Sequence, residues 1–169
     1  MPADIENDLP ASLRSLTIAQ VALIVPDLDS ALRQWSLVLG RSDWYIVTYG
    51  PDNVARLTYQ GEPGNCRFRL AFAGRAPQIE LIEPLRGPSI YHDWVAERGY
   101  GLHHLGFRVP SVQAAMDRAT ADGIKILQSG QGYGLDGDGG FAYLDTQERL
   151  GVILEAIEVP RRRRPSLSR

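Results

Sequence analysis

The sequence predicts an α+β fold of two tandem βαβββ modules whose curved sheets enclose a shared cleft. Three observations predict it. First, QVALIVPDLDSALRQWSLVLG (20–40) aligns with HLGFRVPSVQAAMDRATADG (104–123), each reading as a short apolar strand, a Val-Pro stop and an amphipathic helix. Second, each of these stretches is followed by strand-like runs separated by Gly, Pro and Asn. Third, the halves end alike, with IELIEPLR at 79–86 and LEAIEVPR at 154–161.

In chain order, residues 1–16 form an N-terminal extension. It is acidic and has no apolar signal-peptide core, so no secretory signal is expected. The first module covers 17–84. Its helix starts at an Asp27 or Asp29 cap, presents Leu28, Ala31, Leu32, Trp35 and Leu39 at helical spacing, and stops at Gly40. Strand-like runs follow at 43–49, 54–60, 66–72 and 77–83, one more than the repeat needs. Residues 85–100 connect the halves, with a short helix near 88–98. The second module covers 101–160. Its helix is capped by Ser111, carries Val112, Ala115, Met116 and Ala119 on one face and stops at Gly123. Trp35 and Met116 are thus core residues. Strand runs follow at 124–128, 140–145 and 151–159. The glycine-rich 131–145 reads either as a flap that brings Tyr133 to a substrate or as a plain hairpin connection. The tail, 161–169, opens with four arginines and is expected to be solvated and disordered.

Composition narrows the function. A chain of 169 residues suits one domain or two halves sharing a core, and one βαβββ unit alone buries too little surface. A net charge of −2 gives no argument for nucleic-acid binding. The single cysteine, Cys66, excludes an intrachain disulfide. No apolar run approaches the ~20 residues of a membrane helix. A cytoplasmic protein without membrane or nucleic-acid partners is expected.

Strand alternation then selects candidate site residues. In HHLGFRV, His103, Leu105, Phe107 and Val109 share a face that should meet the covering helix, while His104, Gly106 and Arg108 face the cleft. The repeat pairs His104 with Gln20, and the module ends add Glu80 and Glu155, carboxylates inside otherwise apolar strands. A buried carboxylate needs a compensating charge, and a metal supplies one. Gln20, Glu80, His104 and Glu155 together suit one borderline divalent ion: Zn²⁺, Ni²⁺, Co²⁺ or Mn²⁺. Taken singly, each also reads as an ordinary surface or core polar residue.

On these residues the chain resembles the vicinal oxygen chelate superfamily, which includes glyoxalase I, methylmalonyl-CoA epimerase, extradiol dioxygenases and bleomycin- and fosfomycin-resistance proteins. The resemblance spans roughly 17 to 160. It implies paired βαβββ modules with a metal at the floor of the cleft, and its ligand pattern maps onto Gln20, Glu80, His104 and Glu155. It also implies a homodimer. Gln20 is similar to the first ligand of some glyoxalase I enzymes and departs from the histidine usual in the epimerases. Where glyoxalase I holds glutathione, this chain has Ile24, Pro84 and Tyr100, none of which grips a carboxylate as Arg would. IELIEPL, a helix and then GLHHLGF is similar to the epimerase junction.

The expected activity is that of a metal-dependent isomerase, epimerase or lyase acting on a small carbonyl or acyl compound through a metal-stabilised enolate. Glu80 or Glu155 serves as the base. Tyr45, Arg108 and Tyr133 are candidate substrate contacts, Arg108 for an anion; Tyr49, Arg67 and Arg69 are further candidates. Ring cleavage at iron needs two histidines, and only His104 faces the cleft; His92 falls on the connecting helix. The alternative is a binding protein that sequesters an aromatic drug or metabolite between walls such as Trp44, Tyr45 and Tyr59.

Overall fold

Val-Pro ends both opening strands, and each following helix is fixed by its own cap. The computed structural model describes residues 9–75 and 77–167. In the first half, β1 (Ile18–Ile24) leads to α1 (Leu28–Leu39), then β2 (Tyr45–Tyr49), β3 (Arg56–Tyr59), β4 (Glu62–Pro63), β5 (Arg67–Ala73) and β6 (Gln78–Arg86). The connecting helix is α2 (Ile90–Arg98). In the second half, β7 (Gly101–Arg108) leads to α3 (Val112–Ala121), β8 (Ile126–Tyr133), β9 (Gly139–Leu144), the single turn α4 (Gln147–Leu150) and β10 (Ile153–Glu158). Asp27 caps α1 by accepting from the Ser30 N–H at 2.6 Å, and Ser111 caps α3 by accepting from Ala114. Gly40, at φ 62°, closes α1 in the left-handed conformation that a β-carbon disfavours.

The strands form one curved sheet in the order β2-β5-β6-β1-β7-β10-β9-β8-β3-β4. Each half repeats the same internal order, β1-β6-β5-β2 and β7-β10-β9-β8, and the halves join through antiparallel β1 and β7. The additional strand signal in the first half becomes the β3–β4 hairpin. It leaves its own half and pairs with β8, Thr58 opposite Ser129. Helices α1 and α3 cover the outer face. Leu28 and Leu32 pack with Ile46, Ala71 and Leu81; Val112, Ala115 and Ala119 pack with Phe107, Ala142 and Leu154. A 12-residue helix is marginal alone. Burying Leu28 and Leu32, about 1.5–3 kcal/mol each, is what holds α1 in place. Trp35 and Met116 pack against these outer clusters as expected.

Two expectations need correction. Trp44 belongs to the outer layer: it is buried against α1 and donates from Nε1 to Ser36 Oγ at 2.9 Å. The arginine tail is exposed over 161–167, as a solvated tail would be, yet it follows a defined path along the surface. Arg161 and Arg162 pair with Asp138 and Asp136 of the β8–β9 connection, and Ser166 and Leu167 hydrogen-bond to Ile46 along the free edge of β2. Its charges find acidic partners that are remote in sequence, and its backbone finds an unpaired strand edge. Residues 1–8 of the N-terminal extension and 168–169 of the tail lie outside the described residues; Leu9, Leu13 and Leu16 pack against the α3 layer.

Candidate metal centre

Four strands place the predicted donors by one register rule. Gln20 of β1 lies opposite Gln78 of β6, and Glu80 follows two residues on. His104 of β7 lies opposite Ile153 of β10, and Glu155 follows two residues on. Across the central pair, Gln20 faces Gly106 and His104 faces Ala22. The four side chains thus meet at the junction of the halves, all of them buried. His104 Nε2 is 3.2 Å from Glu80 Oε2 and 3.0 Å from Glu155 Oε2, and the ligand atoms of Glu80, His104 and Glu155 all lie within 4.8 Å of one another.

Gln20 completes the group. With its Nε2 donating to Gln78 Oε1 at 3.0 Å, its oxygen faces the two carboxylates. Turned over, its nitrogen donates to Glu155 Oε2 at 3.1 Å and Glu80 Oε2 at 3.2 Å. The first orientation gathers three oxygens and a nitrogen around one point and suits a cation. The second satisfies the carboxylates without one. Gly106 makes room for either: a β-carbon there would sit 2.9 Å from Gln20 Oε1 and 2.7 Å from Ile157 Cδ1.

His103 departs from simple alternation. The β1–β7 register skips it, Ala22 pairing with His104 and Leu23 with Leu102. This bulge turns both histidines into the cup. The expected contact of His103 with the covering helix is therefore replaced by ring contacts with Tyr91, Trp94 and Tyr143, and its Nδ1 lies 2.9 Å from His104 Nδ1. If His104 Nε2 offers its lone pair to a metal, His104 Nδ1 holds the proton and donates to His103. His103 was missed by the alternation argument; its signal was only a polar residue beside a donor in an apolar strand.

Burial sets the electrostatics. Desolvation pushes the Glu80 carboxyl up to about 7, helped by Glu155 and opposed by its bond to His104. Burial draws His104 down, but the charge and polar contacts of Glu155 and Glu80 outweigh it and push the imidazole to about 9. Burial and the His104 charge hold His103 well below its ordinary value, so it stays neutral and able to accept. Glu80 and His104 therefore each hold a proton more tightly than usual at the point where a divalent cation would otherwise sit. Among the described residues His104 Nε2 lies close to Glu80 and Glu155 but makes no well-aligned hydrogen bond, as would fit a nitrogen reserved for a metal.

Above this floor is a narrow cavity of about 50 Å³ walled by Tyr45, Tyr49, Phe68, Tyr133, Phe141 and Tyr143. Tyr45, Arg108 and Tyr133, expected to touch substrate, all line it. The Tyr133 ring lies across Gly139, where a β-carbon would come within 2.4 Å of it, and its hydroxyl donates to the carbonyls of Gly140 and Glu158. The glycine-rich stretch is thus a hairpin turn holding Tyr133 in place. Arg67 pairs with Asp52, and Arg69 with Asp29 and Glu83, away from the cavity. Tyr59 bonds Asp93, and His92 lies exposed on α2.

The match to known proteins agrees with this geometry. A model of the glyoxalase/bleomycin resistance protein/dioxygenase superfamily matches residues 19–143. The chain belongs to that superfamily. Among curated proteins this superfamily member is similar to the ethylmalonyl-CoA/methylmalonyl-CoA epimerase of Cereibacter sphaeroides, 29% identical over 66% of the chain and 74% of that protein. It is also similar to YqjC of Bacillus subtilis, 26% identical over 52% of the chain; the match spans 61% of YqjC. Among solved structures, methylmalonyl-CoA epimerase from Mycobacterium tuberculosis has the same fold, with TM-score 0.56 and 23% identity over 88% of this chain and 93% of that one. The hypothetical protein BH1468 from Bacillus halodurans gives TM-score 0.57 and 20% identity over 89% and 99% of the respective chains. Among the described residues no helix is long and apolar enough to cross a membrane.

Proposed function

We propose that this protein is a divalent-metal-dependent enzyme that moves a proton at the carbon next to a carbonyl or acyl group, as an epimerase, isomerase or lyase. The convergence of Gln20, Glu80, His104 and Glu155 on one buried point carries the reading. Zn²⁺, Ni²⁺, Co²⁺ or Mn²⁺ suits this donor set. When bound, such a cation supplies Lewis-acid stabilisation of the negative charge left on the carbonyl oxygen. Gln20 and His104 hold the site from the two opening strands. Glu80 and Glu155 approach from opposite halves, so one takes the proton while the other remains a ligand. The aromatic walls keep water away from the carbon that is briefly deprotonated. An acyl-CoA thioester is the first substrate class to test, because the Cereibacter sphaeroides relative is an epimerase of ethylmalonyl-CoA and methylmalonyl-CoA. The homodimer implied by the family is part of the same proposal.

The test is metal analysis of protein purified without chelator, together with α-proton exchange of methylmalonyl-CoA in D₂O followed by NMR. We expect near-stoichiometric metal and exchange, both lost in the E80Q/E155Q variant. A metal-free wild type, or exchange undiminished in that variant, overturns the reading. The ring-lined cavity favours a second reading, sequestration of an aromatic compound without chemistry. It predicts ligand binding that persists unchanged in E80Q/E155Q.

A further inference from the structure

The catalytic reading leaves the end of the chain unused, yet that end covers the cavity. Residues Arg161–Leu167 run as a strap from β10 past the β8–β9 turn to the edge of β2. The Leu135 N–H donates to the Arg162 carbonyl, the Tyr45 hydroxyl to the Arg164 carbonyl at 2.9 Å, and the Leu167 N–H to the Ile46 carbonyl. Within the strap Arg163 stands apart. Arg161 and Arg162 each meet an aspartate, whereas Arg163, like Arg164, has no carboxylate partner among the described residues, and only Arg163 packs on aromatic rings. Its guanidinium lies over the rings of Tyr45, at 5.1 Å, and Phe72, at 5.8 Å. Both rings and Arg163 itself line the cavity whose floor is Gln20, Glu80 and Glu155.

Two physical points follow. A guanidinium stacked on aromatic faces keeps its in-plane N–H groups free for a further acceptor. Its charge also reaches inward, opposing the upward push of burial on the Tyr49 and Tyr133 hydroxyls. In addition, a cavity of about 50 Å³ holds a few water molecules at most, well short of the roughly 300–1,000 Å³ of small-molecule sites. A substrate therefore enters only if part of the wall moves. The strap is such a part of the wall: its residues are all exposed, and it is held by two ion pairs and a few hydrogen bonds.

We propose that Arg163 is a substrate-recognition residue, carried by the strap and donating to an anionic group of the bound ligand at the mouth of the cavity. The recognised part of the ligand is an anionic group whose adjoining apolar portion lies among Tyr45, Tyr49 and Phe72. The inference deepens the proposed function by naming the charge of the substrate, but it uses the mouth of the cavity and not the metal floor, so the two can fail separately.

The test is calorimetric titration of the full-length protein with phenylacetate and with its neutral counterpart phenylacetamide, before and after chelator treatment. The wild type is expected to prefer the anion by about ten-fold in both states, the size of one charge-assisted hydrogen bond at a partly wet site. R163Q removes the preference and leaves amide binding intact. R163K restores part of it, having the charge without the planar stack. A chain ending at Pro160 behaves like R163Q. An unchanged preference in R163Q overturns the proposal, as does a preference that follows Arg108→Gln instead. A preference that vanishes on chelation assigns the anion to the metal and equally overturns it, as does phenylacetate failing to bind the wild type.

Discussion

In the first half of the sheet Gln20 stands opposite Gln78 and Glu80 follows two residues later; in the second half His104 stands opposite Ile153 and Glu155 follows two residues later. Even the irregularities repeat. The β1–β7 register skips one residue of each opening strand, Ala19 just before Gln20 and His103 just before His104. The side chains that support the donors do not repeat. Gln20 is steadied by Gln78 and leans over Gly106, whose counterpart Ala22 carries a β-carbon without conflict. His104 is steadied by His103, whose counterpart Ala19 merely leaves space in the cavity. The duplicated backbone therefore fixes where each donor starts, and each half orients its donor by separate means. In the proposed metal site a neutral carboxamide would provide a weak, pH-insensitive ligand, and an imidazole held by a neighbouring imidazole would provide the ligand that discriminates among metals.

Substitutions that make the halves alike test this division. The largest effect is expected for His104→Gln, which gives both halves the first half's donor and should weaken metal binding by more than about 100-fold, beyond the loss typical of supporting residues. Gln20→His, the reverse exchange, should retain or strengthen binding. Competition against a chelating dye measures both, and equal losses would mean that the halves contribute equally. Next comes His103→Ala, which copies the first half's bulge into the second. It should weaken metal binding by about 10- to 100-fold while the four donors stay in place; Gln78→Leu, on the other side, should cost less.

A smaller effect, on stability, is expected for Gly106→Ala. The added β-carbon meets Gln20 and Ile157, and the overpacking should cost about 1–3 kcal/mol in chemical denaturation. Ala22→Gly at the counterpart position should cost less than this.

The last effect is one of pH. In the metal-free protein Glu80 titrates near 7 instead of 4.5, so the unfolded chain loses that proton first and stability falls as pH rises across this interval. His104 titrates near 9 instead of 6.5, so its stabilisation is complete below 6.5 and is lost as pH climbs through 9. A cation bound as proposed would displace both protons. The melting-temperature gap between metal-loaded and chelator-treated protein should therefore widen from the acid to the alkaline end of this range, as thermal scans with and without chelator would show.

The sequence carried the helices and the placement of Gln20, Glu80, His104 and Glu155 because their signals are local or duplicated. Caps at Asp27 and Ser111, the Val-Pro stops and strand alternation are written within a few residues, and the repeat supplied the counterparts. What it did not carry depends on partners distant in the chain. The bulge that brings His103 inside shows only in the pairing of β7 with β1. Trp44 sits one residue before β2, where the choice of face turns on a single step of register. The ordered path of the arginines needs Asp136, Asp138 and the β2 edge.

The β3–β4 hairpin carries a consequence for how the chain reaches its native state. It belongs to the first half by sequence, yet its hydrogen bonds go to β8, some 70 residues downstream. A chain cut at the α2 linker would leave one fragment with a hairpin lacking its mate and the other with a bare outer strand. The duplicated units are thus interlaced. They cannot be exchanged as independent cassettes, because the seam between them joins a strand of each.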